Sequence, residues 1–238
     1  MGIRLVVGLG NPGKEYERTR HNAGFWLVER FATSGGIALR KDAKFKALVG
    51  KTAEGVWLLE PQTFMNLSGQ PVHMLAGFFK IKPEDILVVH DELDFAPGVA
   101  RLKQGGGIAG HNGLRDISQK LGSHDYWRLR LGVGRPAPGR EGADYVLERP
   151  PAEEKAAIDA AIDKSIALLP QMIAGDMQGA MNKLHTEDKP PAKKEPDKKE
   201  PPIKEPAKKE PERKADAPQA AASTEKKKGL LGGLFGKK

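Results

Sequence analysis

The hydrophobic positions of this chain fall into short continuous runs separated by polar or periodic stretches. IRLVVGL, residues 3–9, is nearly uninterrupted, the mark of a strand buried on both faces. Ile86 to Val89, within KPEDILVVHDELD, repeats that pattern and ends in acidic residues. FKALVGK and VWLLE, separated by TAEG, predict a hairpin, and WRLRLGVG alternates like a strand with one polar face. Elsewhere the period is that of a helix. In HNAGFWLVERFA, Leu27, Val28, Phe31 and Ala32 share one face. From about Pro71, Met74, Leu75, Phe78 and Phe79 recur at helical spacing, and GLRDISQKLG reads as a helix closed by Gly122. Residues 152–184 read as helical with a break at Pro170. Strands alternating with helices predict an α/β fold: a single globular domain over residues 1–185, with a twisted, mostly parallel mixed sheet flanked by helices.

After about His185 both patterns stop. Residues 186–238 consist mainly of Lys, Glu, Pro and Ala, in units such as KKEP, IKEP and AKKEP. Frequent proline forbids helix and low hydrophobicity forbids a core, so a disordered, extended arm is expected. It ends in KKKGLLGGLFGKK, an apolar cluster between lysines. A solvated tail is the preferred reading; a weak contact with RNA, ribosome or anionic lipid is the sharper one. This arm carries 15 Lys and Arg against 10 Asp and Glu, five of the chain's eight net positive charges. Bulk charge therefore does not make the folded part a nucleic-acid binder.

The absence of cysteine excludes disulfides and thiolate catalysis. No run approaches the roughly twenty apolar residues of a membrane span. The amino terminus lacks the basic start and small-residue cleavage site of a secretion signal, so a cytoplasmic protein is expected. With no self-complementary apolar face in the pattern, a monomer is the default.

The first apolar run leads into Gly8-x-Gly10-x-x-Gly13, which imitates a dinucleotide-binding fingerprint. A true fingerprint starts its helix at the turn and carries an acidic residue at the end of the next strand. Here Pro12 and the charged stretch KEYERTR follow, and the nearest acidic candidate, Glu29, lies inside the amphipathic helix. The match is accidental. What the turn offers is Asn11, at the carboxyl end of a buried strand, where ligands of open α/β sheets sit. Asp91 ends the second run, His21 and Asn22 open the first helix, and Asn66 and Asn112 open two others. Capping or a turn explains any one asparagine; three of them with an imidazole and a carboxylate point to a site.

Four blocks, VGLGNPGKEYERTRHNAG, PQTFMNLSGQPV, ILVVHDELD and GHNGLRDI, resemble bacterial peptidyl-tRNA hydrolases in order and spacing over about residues 1–185. Those enzymes cut the ester between peptide and tRNA in peptidyl-tRNA released prematurely from ribosomes, so that the tRNA is recycled. The resemblance implies His21 as the general base that activates water and Asp91 as the carboxylate that orients it. It implies that Asn11, Asn66 and Asn112 bind the peptide and the tRNA 3′ end, with Asn11 telling blocked from free amino termini. Tyr16 and Phe64 would line the cleft, Lys103 and Arg130 would contact tRNA phosphate, and neither metal nor cofactor is implied.

The residues themselves support part of this. Neutral imidazole is the side chain suited to proton transfer near pH 7, and a carboxylate on its other nitrogen fixes the tautomer. A position near a helix start is expected to keep the His21 ring neutral at rest. Met65 reads equally as a peptide or adenine contact and as core filler. Arg101, Lys103 and Arg115 read as basic groups around a glycine-rich loop, ARLKQGGGIAG, which departs from the family's more usual His-Gly at Ile108-Ala109. Two other classes compete. A metal-dependent hydrolase would use His90, Asp91, Glu92 and His111, although adjacent strand positions face opposite sides. A non-catalytic RNA adaptor would act through the basic arm, but no aromatic-interleaved signature supports it.

Overall fold

The two uninterrupted apolar runs lie side by side at the centre of a seven-stranded sheet. In chain order the strands are β1 (Leu5–Gly8), β2 (Arg40–Asp42), β3 (Ala47–Lys51), β4 (Trp57–Pro61), β5 (Ile86–Glu92), β6 (Ala100–Gln104) and β7 (Trp127–Gly132). Their spatial order is β2-β3-β4-β1-β5-β7-β6. The centre is parallel, β4 and β5 flanking β1 and β7 following β5, whereas β2, β3 and β6 pair antiparallel at the two margins. Every residue of β1 and β5 is buried, as continuous hydrophobicity requires. This computed structural model describes residues 2–186. The chain divides into two units, Met1–Lys193 and Lys194–Lys238. The expected extended arm and its contacts lie outside the described residues.

Six α-helices among the described residues cover the sheet: α1 (Ala23–Ser34), α2 (Gly69–Phe78), α3 (Asn112–Leu121), α4 (Gly142–Val146), α5 (Ala152–Ile173) and α6 (Met177–Thr186). On one face α1, α5 and α6 pack Leu27, Val28, Ile158, Ile162 and Leu184 against Val6, Leu87 and Val89. On the other, α2 and α3 pack Leu75, Leu114 and Ile117 against Leu5, Val7 and Val88. The alternating parity of β1 and β5 thus feeds two cores, one above and one below the sheet.

Three local expectations need correction. α2 begins at Gly69 and buries Val72, Leu75 and Ala76, while Phe78 is exposed. The break expected at Pro170 falls instead after Ile173, at Gly175, whose φ of 95° suits glycine. Proline inside a helix costs roughly 3 kcal/mol. Leu169 and Met172 beside it are fully buried, each contributing about 1.5–3 kcal/mol, so packing carries the helix through. ARLKQ is not loop but the edge strand β6. On the polar face of β7, Arg128 is buried and donates through Nη1 to the Gly107 carbonyl at 2.6 Å.

Of the glycines that imitate a nucleotide fingerprint, Gly8 serves close approach between helix and sheet. A Cβ on Gly8 would lie 2.5 Å from the Gly24 carbonyl oxygen. One on Gly24 would lie 2.4 Å from both the Leu9 nitrogen and the Val89 oxygen. The start of α1 therefore sits directly on the ends of β1 and β5, which carries the residues just before it to the sheet's carboxyl edge.

Candidate active site

That edge holds a cavity of about 560 Å³. His21 enters it from the short 3-10 turn Arg20–Asn22 ahead of α1, and Asp91 from the penultimate position of β5. Seventy positions apart in sequence, they meet: His21 Nδ1 lies 2.9 Å from Asp91 Oδ1. An ionised carboxylate only accepts, so the proton sits on Nδ1 and the lone pair of Nε2 is left for substrate chemistry. The same Asp91 oxygen lies 3.1 Å from His111 Nε2. His111 caps α3, its Nδ1 accepting from the backbone N–H of Gly113 and Leu114 at 3.1 and 3.4 Å. That fixes its tautomer: Nε2 carries the proton and donates to Asp91. Asp91 is thus a buried carboxylate clamped between two imidazole donors.

The electrostatics follow from this clamp. Burial alone would raise the Asp91 pKa, but the His21 charge and the His111 hydrogen bond hold it well below the usual carboxylate range. Burial disfavours a charged His21 ring, yet the charge and hydrogen bond of Asp91 outweigh it and raise the His21 pKa above its ordinary 6.5. The helix start, expected to favour the neutral ring, is thus opposed by the Asp91 carboxylate at 2.9 Å, which favours the charged one. His90 behaves oppositely, pushed down to about 3 by burial and then by His111, and stays neutral.

The asparagines do not act as caps. Asn22 spends its amide on the Asn11 backbone, accepting from the Asn11 N–H and donating to the Asn11 carbonyl, both at 2.9 Å. Asn11 in turn accepts the Met65 N–H on Oδ1 at 2.7 Å, which leaves its NH2 group as the end free to meet a ligand. Asn66 lies in the 3-10 turn Met65–Leu67, and Asn112 follows the capping His111. Asn112 Oδ1 accepts from Arg115 at 3.0 Å, so its NH2 is also free. Two helix contacts hold these amides near the dyad: the Gly69 N–H donates to Asp116 at 2.7 Å, joining α2 to α3, and Gly113 lies against Met65. Tyr16 and Phe64 meet edge to face at 6.3 Å on the rim.

Asn11, Tyr16, His21, Phe64, Asn66, Asp91 and Asn112 thus share one cavity; Lys103 and Arg130 do not line it. They belong to neighbouring strands, where the β6–β7 register sets Arg101 beside Arg130 and Lys103 beside Arg128. The result is a basic sheet face beside the Gly105–Gly110 loop. Arg130 lies 4.6 Å from the Phe95 ring, and Arg101 donates to the His185 carbonyl. Met65 is buried, as core filler is, and also lines the cavity. Ala109, in the loop, has a φ of 46°, a left-handed conformation that an alanine adopts at a cost.

Two residues escaped the sequence reading. His111 was considered only as a metal ligand; its place directly before an amphipathic run was the available signal for a cap. Arg20, adjacent to His21, is buried and lies 4.0 Å from the Tyr145 ring. Its Nη1 bonds the Tyr145, Glu148 and Arg149 carbonyls and its Nη2 pairs with Glu154 at 2.8 Å. It thereby fixes α4, whose Gly142, Ala143 and Val146 form a cavity wall.

His21, Asp91 and His111 are the one group among the described residues whose ligand atoms, within 4.8 Å of one another, could hold a metal ion. The His111 ring fits such a role poorly. Its Nδ1 lone pair is used by the cap and its Nε2 carries a proton, so binding an ion there would first require breaking a backbone cap.

The family model described as peptidyl-tRNA hydrolase matches residues 5–193. A peptidyl-tRNA hydrolase of Leptothrix cholodnii is 53% identical over 195 residues, covering 81% of this chain and 91% of the relative. One of Methylococcus capsulatus is 54% identical over 185 residues, 77% of this chain and 99% of its own length. The crystal structure of the peptidyl-tRNA hydrolase of Acinetobacter baumannii superposes with a TM-score of 0.74 at 48% identity, covering 76% of this chain and 94% of that one.

Proposed function

The chain belongs to the peptidyl-tRNA hydrolase family and is an enzyme that hydrolyses peptidyl-tRNA, and on that premise we propose that His21 is its general base and Asp91 the residue that positions it. The observation that carries this reading is the 2.9 Å contact between His21 Nδ1 and Asp91 Oδ1, which turns Nε2 into an acceptor beside three amides. Neutral His21 takes a proton from water through Nε2 as the oxygen attacks the ester carbonyl. Asp91 stabilises the imidazolium that forms, and His111 keeps Asp91 ionised and aligned. A free amide NH2, that of Asn112 or Asn66, donates to the developing oxyanion. The protonated ring then returns its proton to the departing ribose oxygen, which frees the tRNA. Lys103 and Arg130 hold tRNA phosphate on the adjoining sheet face, and residues 1–185 form the catalytic domain. Action in the cytoplasm as a monomer completes the proposal; no helix among the described residues is long and apolar enough to cross a membrane.

The pH dependence tests the dyad. The base form of His21 is lost as pH falls through its raised pKa, so the acidic limb of kcat/KM should have its midpoint above 6.5. Asp91→Asn removes the charge that favours imidazolium, so the limb should move to lower pH while the rate drops. A limb that stays in place in that variant refutes the pairing.

The orientation of Asn11 makes a second test. A free NH2 donor suits the carbonyl of a blocked amino terminus and repels an ammonium. Asn11→Asp keeps an acceptor for the Met65 N–H but presents an oxygen to the substrate. The preference for N-acylated over free aminoacyl-tRNA should fall by about ten- to a hundredfold, the scale of one exchanged polar contact. An unaltered ratio of the two kcat/KM values would exclude this role.

A further inference from the structure

One wall of the cleft is a loop that does little to hold itself in place. Residues 105–110 join β6 to α3, and Ile108, Ala109 and Gly110 line the cavity ahead of His111 and Asn112. Gly105, Gly106, Ala109 and Gly110 sit at φ of 60, 88, 46 and 76°, left-handed values that belong to neither helix nor strand. A Cβ on Gly107 or Gly110 would meet nothing within 4 Å, so neither is packed. The two ends are anchored, Gly105 by its N–H to the Tyr126 carbonyl at 3.0 Å and His111 by the α3 cap. Ile108 leans on the core beneath α2 and α3. Among the described residues, one hydrogen bond ties residues 106–110 to a distant element, that of Arg128 Nη1 to the Gly107 carbonyl.

Arg128 is only 3% exposed, and its Nε and Nη2 have no hydrogen-bond partner among the described residues. A buried guanidinium carries a desolvation cost that one charge-assisted bond offsets only in part. Lys103 adds to that cost. Its Nζ and Arg128 Nη2 lie 2.9 and 3.2 Å from where a Cβ on Gly106 would stand, so two cations crowd one glycine. The fold thus gives up stability at a position whose hydrogen bond goes to the cleft loop. We propose that Arg128 is a positioning residue for the hydrolysis: by holding the Gly107 carbonyl it orders residues 106–110 as a cleft wall in advance, so that peptidyl-tRNA binds without having to order them itself. This role rests on the cleft being the substrate site, as proposed above. It concerns binding and not the chemical step, because His111 and Asn112 are fixed by α3 and not by Arg128.

Arg128→Met removes the tether and leaves an unbranched apolar chain; replacing a buried charge in this way commonly leaves stability unchanged or raised, so Tm should hold. KM for an N-blocked aminoacyl-tRNA should rise about tenfold, the worth of ordering roughly one backbone residue, with kcat within about twofold of the wild type. The slope of log KM against log salt should stay as in the wild type, since no phosphate contact is lost. A slope smaller by about one would make Arg128 a tRNA-phosphate ligand instead. Arg128→Lys keeps a charged donor at the position and should recover most of the lost affinity. Backbone NMR relaxation of the full chain reads the tether without catalysis, and so independently of which residue is the base. Order parameters of residues 106–110 should fall from about 0.85 in the wild type to below about 0.6 in Arg128→Met, while those of α3 hold. Equal order parameters in the two proteins would remove the tether. A loosened loop with KM unaltered, or the smaller salt slope, would overturn the positioning role.

Discussion

His21→Ala is expected to lower turnover of an N-blocked aminoacyl-tRNA by about 10²–10⁴-fold, the usual worth of a positioned general base. KM should change little. The groups proposed to hold substrate are the three amides, the Tyr16–Phe64 rim and the basic face of β6 and β7, none of which depends on the imidazole. The variant should also fold, since His21 projects into a cavity and its one bond is to Asp91, which His111 continues to satisfy. Release of free tRNA measured under saturating substrate separates the two effects. Turnover by His21→Ala at the wild-type rate would remove the base from the mechanism.

Gly24→Ala should be the most damaging small substitution in the fold. In an ordinary exposed helix, Gly to Ala stabilises by about 0.5–1 kcal/mol. At Gly24 the added methyl would lie 2.4 Å from backbone atoms of both β1's end and β5, which no side-chain rotation can relieve. Overpacking of this kind costs about 1–3 kcal/mol and more where backbone must move. The net effect is a loss of roughly 3 kcal/mol, or about 6–12 °C in Tm for a chain of this size. Activity should fall with it, because lifting α1 off the sheet draws His21 away from Asp91. Gly77→Ala in α2, where an added Cβ meets nothing within 4 Å, is the matching control and should stabilise slightly. Equal Tm values for the two variants would show that the close approach at Gly24 is not rigid.

The apolar runs at β1 and β5 were legible because a strand buried on both faces leaves no polar position to confuse the reading. α3 was legible for a comparable reason: its pattern is sharply amphipathic and Gly122, with φ 65°, stops it. β6 was not, since ARLKQ is an edge strand whose Arg101, Lys103 and Gln104 look like loop until β7 pairs with them. Pro170 misled for the opposite reason, a strong local signal being outweighed by the burial of its neighbours Leu169 and Met172 in the core.

Within the site, residue types and the rule that ligands gather at the carboxyl edge of a parallel sheet brought out Asn11, His21, Asp91, Asn66 and Asn112. The sequence by itself determined which chemical groups exist, which strands are buried and, through four ordered blocks, the family. The tertiary structure alone decided protonation and orientation. Which nitrogen of His21 is free depends on a carboxylate seventy positions away, and which nitrogen of His111 donates depends on the backbone it caps. Which end of Asn11 faces substrate depends on the Met65 N–H. Hydrogen bonding and desolvation act over a few ångströms of space, and position along the chain does not encode that distance.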